Sequence, residues 1–345
     1  MSSAILDRFD AAADAALPTL VLALDPEVAR REFLRLPRLS RRPGGRLRVA
    51  AIRVTRHKPG RRCLVEYDLE VEREGGVEAF TVIGKVRVHR FGKSGHRLLS
   101  ALWRAGFDER SPDGISVPEP IGVVPAFRMW MQRKASGRPA SQLLKPGETA
   151  LARRIAEAAR KLHLCRVPAE SRHGMADELR ILGECLEKAA RSEPRWRSRC
   201  MRLQRAGERL GDAVAGRPPA GIHRDFYADQ VLVDGDRLVI LDFDLYCTGD
   251  PGLDPGNFLG HVTEQALRTR GDPCALADFE EALEERFIEL SGESARASLK
   301  AYAALTLARH VYLSMLFPER RPLTQDLLSL SEERVSACLL PGTSR

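Results

Sequence analysis

"HRDFYADQVLVDGDRLVILDFD", residues 223–244, places carboxylates at both ends of two short apolar segments. Residues 230–233 and 237–241 are rich in β-branched residues and leucine, and Asp234-Gly235-Asp236 between them tolerates positive φ in a tight turn. The pattern predicts a β-hairpin. With a two-residue loop at Asp234-Gly235, Asp242 returns opposite Tyr227; with the loop at Gly235-Asp236 it returns opposite Asp229. Either register brings Asp242 back to where the hairpin began. Paired strands lie about 5 Å apart, so Asp225, Gln230 and Asp242 are expected to converge. Two carboxylates about 6 Å apart at an effective dielectric of about 20 repel by roughly 3 kcal/mol. A hard cation such as Mg²⁺, which takes one or two carboxylates and completes its shell with phosphate oxygens, offsets that repulsion. The competing reading is a surface hairpin with solvated acids, and the flanking residues weigh against it.

His223-Arg224-Asp225, then Gln230, then Asp242-Phe243-Asp244, resembles the H-x-D-x-x-x-x-N and D-F-G or D-x-D signatures of protein-kinase-like phosphotransferases. The following "GDPGLDPGN", residues 249–257, is similar to the metal-aspartate segment of the aminoglycoside phosphotransferase and choline kinase branch. The resemblance implies a two-lobed α+β fold, a small antiparallel sheet lobe followed by a mainly helical lobe. It implies that His223 and Asp225 take the catalytic positions, Asp225 as the base for an attacking hydroxyl, and that Asp242 ligates nucleotide-bound Mg²⁺ with Gln230 and Asp244 beside it. Asp250 and Asp254 are expected to cap helices and brace the loop. Gln230 departs from the family's asparagine but carries the same amide one methylene further out.

The earlier chain should then hold a nucleotide. Residues 47–55 and 63–72 alternate like strands around "RHKPGRR", and residues 80–88 form a third strand after a turn at Gly75-Gly76. Lys85 within "TVIGKVRVH" looks like the strand lysine that pairs the phosphates of ATP; the alternative is a solvated lysine. Arg61 and Arg62 suit a basic loop over a triphosphate, with a solvated hairpin tip as the equal alternative. Kinase-like folds pair the strand lysine with a glutamate on the next helix, yet residues 86–107 contain no acid, and the helix over 95–106 offers His96 and Arg97 instead. Glu66 and Asp242 are the remaining candidate partners of Lys85. "FRMWMQRKASGRPASQLL" resembles the strand and hinge between lobes, with adenine against the main chain at Met131, Gln132 and Arg133.

At 345 residues the chain has room for about two domains: a helical segment over 1–46, a nucleotide-binding lobe over 47–134 and a helical lobe over 135–345. The seven cysteines are scattered without C-x-x-C pairs, which indicates neither a disulfide framework nor a zinc site and points to a reducing cytoplasm. No signal peptide or membrane span is expected: the best apolar run, residues 15–24, is bounded by Asp14 and Asp25, contains a proline and falls far short of the roughly 20 residues a span needs. The formal charge of +8 is dispersed, as in the arginine-rich stretches 31–48 and 193–205, and no nucleic-acid-binding motif accompanies it. Residues 275–292 pattern as an amphipathic helix with Phe279, Leu283, Phe287 and Leu290 on one side. Residues 297–317 pattern as a buried helix in which Arg309, His310 and Tyr312 need partners. Glu264 is a candidate to receive a cationic acceptor. The expected partners are ATP, with GTP as the alternative donor, and a small hydroxyl compound: an aminoglycoside, a sugar or another alcohol. A nucleotide-binding pseudokinase that regulates a protein is the competing function.

Overall fold

The computed structural model describes residues 4–40, 46–73, 76–88, 93–214 and 216–340. In chain order the elements are β1 (Ala4–Leu6), α1 (Leu20–Ala23), α2 (Pro26–Phe33), β2 (Leu47–Lys58), β3 (Arg62–Arg73), β4 (Gly76–Arg87), α3 (Lys93–Leu102), β5 (Ile115–Ser116), β6 (Pro120–Val124), β7 (Met129–Arg133), β8 (Arg138–Pro139), α4 (Thr149–Leu164), α5 (Met175–Ser192) and α6 (Arg197–Ala213). There follow β9 (Ala220–Ile222), β10 (Val231–Asp234), β11 (Arg237–Ile240), β12 (Cys247–Gly249), α7 (Leu253–Arg270), α8 (Ala277–Ser291), α9 (Ala295–Met315) and α10 (Thr324–Leu339). Two compact units result, residues 1–137 with 234–241 and residues 138–233 with 242–345. Gly75 of the anticipated turn and residues 41–45 of the first arginine-rich stretch lie outside the described residues.

The first unit is built on a six-stranded sheet in the order β1-β2-β3-β4-β7-β6. The alternation read from the sequence becomes a two-sided sheet, with Val49, Ile52 and Val54 of β2 and Val82 and Val86 of β4 buried. One face is covered by the chain's own beginning. Asp25 caps α2 by accepting the main-chain N–H of Glu27 and Val28, both at 2.9 Å, and Pro26 fits the first helical turn. Phe33 of that helix meets Tyr67 edge to face at 4.9 Å, and the Tyr67 hydroxyl donates to the carbonyl of Ala23 at 3.0 Å. The helical segment over 1–46 therefore shares its core with the sheet. A strand there, β1, pairs parallel with β2, which three residues of sequence did not announce.

The second unit is mainly helical. On α8, Phe279, Leu283 and Phe287 are buried as their spacing predicts, and α9 is buried along most of its length. A Cβ added at Gly256 would lie 2.7 Å from the carbonyl of Leu299, and one at Gly260 would lie 2.8 Å from Thr306, so these two glycines let α7 and α9 approach closely. Among the described residues no helix is long and apolar enough to cross a membrane, and all seven cysteines are free thiols.

Candidate active site

The second unit brings its acids together by a device the sequence did not advertise. Strands β9 and β12 pair antiparallel with Ile222 opposite Cys247, so the chain enters at His223 and leaves at Tyr246 side by side. Between these points, β10 ends and β11 begins at a turn on Gly235-Asp236, the second of the two anticipated loops, with Gly235 at φ 57°. Gln230 closes a single helical turn, Ala228–Gln230, rather than opening the strand.

Asp254, at the start of α7 and fully buried, accepts the main-chain N–H of His223 at 2.9 Å and of Arg224 at 2.7 Å. His163 of α4 pairs with the same carboxylate at 2.8 Å. Asp250 accepts the Gly252 N–H at 2.8 Å and the Ser298 hydroxyl at 2.7 Å. Both aspartates brace the loop, as the sequence reading held.

Two non-glycine residues here are left-handed, Arg224 at φ 70° and Asp242 at φ 54°. Such conformations cost about 1 kcal/mol or more and persist where the surroundings over-determine them. Burial raises the Asp225 carboxyl above the usual carboxylate range; His223 opposes the rise, the negative charge of Asp242 adds to it, and Arg309 and Arg224 oppose it. His223 is fully buried, its ring tilted against Phe243 at 4.9 Å and Phe226 at 5.7 Å, so it packs between the two acidic turns. The Gln230 amide nitrogen lies 3.4 Å from the Tyr227 hydroxyl, which leaves its oxygen as a donor for a cation. Asp244 sits exposed on the turn Phe243–Leu245.

Behind the loop runs a buried polar chain that no local pattern signalled. His173 contacts Glu178 at 2.6 Å, Glu178 contacts Arg309 at 3.0 Å, and Arg309 donates to Asn257 at 2.8 Å. Asn257 in turn donates to the carbonyl of Phe226 at 3.0 Å, next to Asp225. Burial pushes the Glu178 carboxyl up, but His173 and Arg309 outweigh it and hold the group below its ordinary value. The Tyr227 ring stacks on His261 at 4.6 Å, and His261 meets His310 edge to face at 4.5 Å. Burial and the field of Arg309, Arg320 and Arg268 lower His261 to about 3, so this shelf is uncharged at ordinary pH. Tyr312 of α9 meets the ammonium of Lys188 at 5.6 Å. Glu264 is not available to a cationic acceptor. It is buried, paired with Arg268 at 3.0 Å, and 3.8 Å from Arg320.

In the first unit Lys85 lies half-buried on β4, with its ammonium 4.9 Å from the centre of the Trp130 ring. Glu66, one of its candidate partners, is instead ion-paired with Lys134 at 2.8 Å and lies 3.5 Å from Arg53. Arg61 is exposed and Arg62 half-buried at the β2–β3 turn, where the field of Arg62, Arg56 and Arg61 lowers the Lys58 ammonium. Asp14 pins that turn, accepting the Gly60 N–H at 2.9 Å and lying 2.8 Å from His57. Met131 and Gln132 are buried in β7, with Met131 opposite Gly84 and Gly122 and Gln132 opposite Ile83 and Pro120. Pairing on both flanks commits much of their main chain to the sheet, and the first residues past the strand are 134–137.

No curated protein matches the chain at the sequence level. A glucosamine kinase in complex with glucosamine, ADP and inorganic phosphate shares its fold with a TM-score of 0.54 and 17% identity, over 91% of this chain and 83% of that one. A spectinomycin phosphotransferase bound to ADP and spectinomycin gives 0.52 and 11%, over 85% and 93%. A choline/ethanolamine kinase family protein from Mesorhizobium loti gives 0.51 and 16%, over 91% and 95%. At these identities the likeness shows the fold, and it is the mixed α+β, kinase-like fold that the motifs implied. A family model matches residues 88–302, a span that takes in His223, Asp225, Gln230, Asp242 and Asp244 and begins just past Lys85. The chain is a member of the phosphotransferase enzyme family.

Proposed function

We propose that the protein moves the γ-phosphoryl group of ATP, or of GTP, to a hydroxyl of a small molecule. The observation that carries this reading is the buried Asp225, set directly after the left-handed Arg224 whose main-chain N–H Asp254 holds, and subject to the negative charge of Asp242, itself on a left-handed residue. Asp225, whose carboxyl burial raises above its ordinary value, accepts the proton of the acceptor hydroxyl as the phosphoryl group transfers. His223 acts through packing, fixing the spacing of the two acidic turns.

Among the described residues no group of three or more His, Cys, Asp or Glu forms a metal site by itself. In this reading Asp242, the Gln230 amide oxygen and Asp244 are the protein donors to Mg²⁺ and the nucleotide supplies the rest. Bound there, the ion neutralises charge on the phosphates. Residues 47–134 hold the nucleotide in this reading, with Lys85 on the phosphates, Arg61 and Arg62 over them, and the base against main chain from Met131 and Gln132 to the end of β7. Residues 135–345 hold the acceptor, and the setting is the cytoplasm. The ADP found with the glucosamine kinase and the spectinomycin phosphotransferase supports a nucleotide donor.

The acceptor face is the uncharged shelf of Tyr227 and His261, backed by the buried His310, while Glu264 and Glu178 already hold arginines. This favours a neutral or anionic hydroxyl compound over a polycation. The test is acceptor-dependent ADP or GDP release across neutral sugars, sugar acids, choline and aminoglycosides. Turnover confined to the cationic acceptors contradicts that preference, and tight nucleotide binding without turnover on any acceptor returns the pseudokinase reading.

A further inference from the structure

Lys85 and Trp130 are directly opposed across the β4–β7 ladder, so both side chains leave the same face of the sheet. That face is opposite the one from which Met129 and Met131 enter the core. The indole is nearly buried, at 5% exposure, and the Lys85 ammonium stands 4.9 Å from its centre. The indole also meets the following helix. A Cβ added at Gly95 of α3 would lie 3.2 Å from both Cε2 and Nε1 of Trp130. Any larger residue at 95 would displace the ring. The helix that carries no acid therefore reaches the lysine through an aromatic ring.

We infer that Trp130 is a positioning residue for Lys85, holding the ammonium by a cation–π contact and linking it to α3 through Gly95. A kinase-like helix places its strand lysine with a glutamate. Here an indole clamped between β7 and α3 offers a negative face that fixes the ammonium's height above the sheet. This inference rests on the reading of Lys85 as a phosphate ligand.

The test compares Trp130→Phe, which keeps a ring face, with Trp130→Leu, which keeps only bulk. The expected result is a nucleotide KM raised about ten-fold in Trp130→Leu, a smaller rise in Trp130→Phe, and little change in kcat for either. Equal KM values in the wild type and both variants, or equal losses in both, overturn the proposal. A second measurement does not depend on those variants folding. With Trp103 and Trp196 replaced by Phe, Trp130 is the sole tryptophan. Its emission is expected to shift on addition of Mg-nucleotide, and Lys85→Met is expected to abolish that response. An equal response with and without the lysine overturns the contact. A wild type whose unfolding midpoint does not move with any nucleotide overturns the phosphotransferase reading as well, which separates the two failures.

Discussion

The main-chain N–H of Arg224 is held by the buried carboxylate of Asp254 at 2.7 Å, and Arg224 is left-handed at φ 70°. The hydrogen bond and the strained dihedral belong together. A bond from a charged acceptor is worth about 1.5–3 kcal/mol, enough to offset the cost of the conformation that sets Asp225 in place. Asp254→Ala is expected to destabilise the protein by about 3 kcal/mol, because it strands His163 and two N–H groups in the interior. Transfer should fall with it. Urea unfolding followed alongside kcat measures both, and a change under about 0.5 kcal/mol would show that the brace is dispensable.

Asp225→Asn keeps the shape of the site and removes the proton acceptor. The expected outcome is a fall in kcat of about 10²-fold or more with nucleotide affinity unchanged. Equal losses of turnover and binding count against Asp225 as the base.

Thermal unfolding with ATP or GTP, each with and without Mg²⁺, reports on the cation donors. A ligand at about 100 times its Kd adds about 2.7 kcal/mol, worth several degrees at this size. The wild type is expected to shift fully only when Mg²⁺ is present, and Asp242→Ala not to shift. A shift in Asp242→Ala equal to that of the wild type would remove the residue from the metal site.

Burial lifts the Glu280 carboxyl from 4.5 to about 7, with the Thr263 hydroxyl hydrogen-bonded to it at 2.8 Å. Between those values the folded state keeps a proton that the unfolded state has lost. Its contribution to stability is therefore complete below pH 4.5 and is lost as pH rises through about 7. The slope is at most about 1.4 kcal/mol per pH unit. Glu280→Gln retains the acceptor for Thr263 and removes the titration, so it should match the wild type near pH 4.5 and exceed it at pH 8. Parallel stability profiles for the two proteins would show that Glu280 does not titrate in this range.

The features legible in the sequence were those written in local pattern. The alternation of β2 to β4, a turn within Asp234-Gly235-Asp236 and the spacing of His223, Asp225 and Asp242 each need only neighbouring residues to be read. What escaped depends on distant ones. Strands β9 and β12 are three residues each, too short to show a period, yet their pairing closes the acidic loop. Arg309 reaches Glu178 and Asn257 across helix pairs whose contact no periodicity reports. Glu264 was misjudged because composition cannot tell a solvated acid from one already holding Arg268. In the stretch read as strand and hinge, Met131 and Gln132 fall within the strand, and the apolar run that marks a strand's interior does not mark where its ladder stops.

The way residues 4–40 fold over the sheet sets where this protein can be recombined. A chimera joined near residue 46 would separate Phe33 from Tyr67, remove the Ala23 carbonyl from the Tyr67 hydroxyl, and unfasten Asp14 from the basic turn at Gly60. A donor segment grafted from a relative therefore has to include its own leading helices, or it arrives with half a core and an untethered loop.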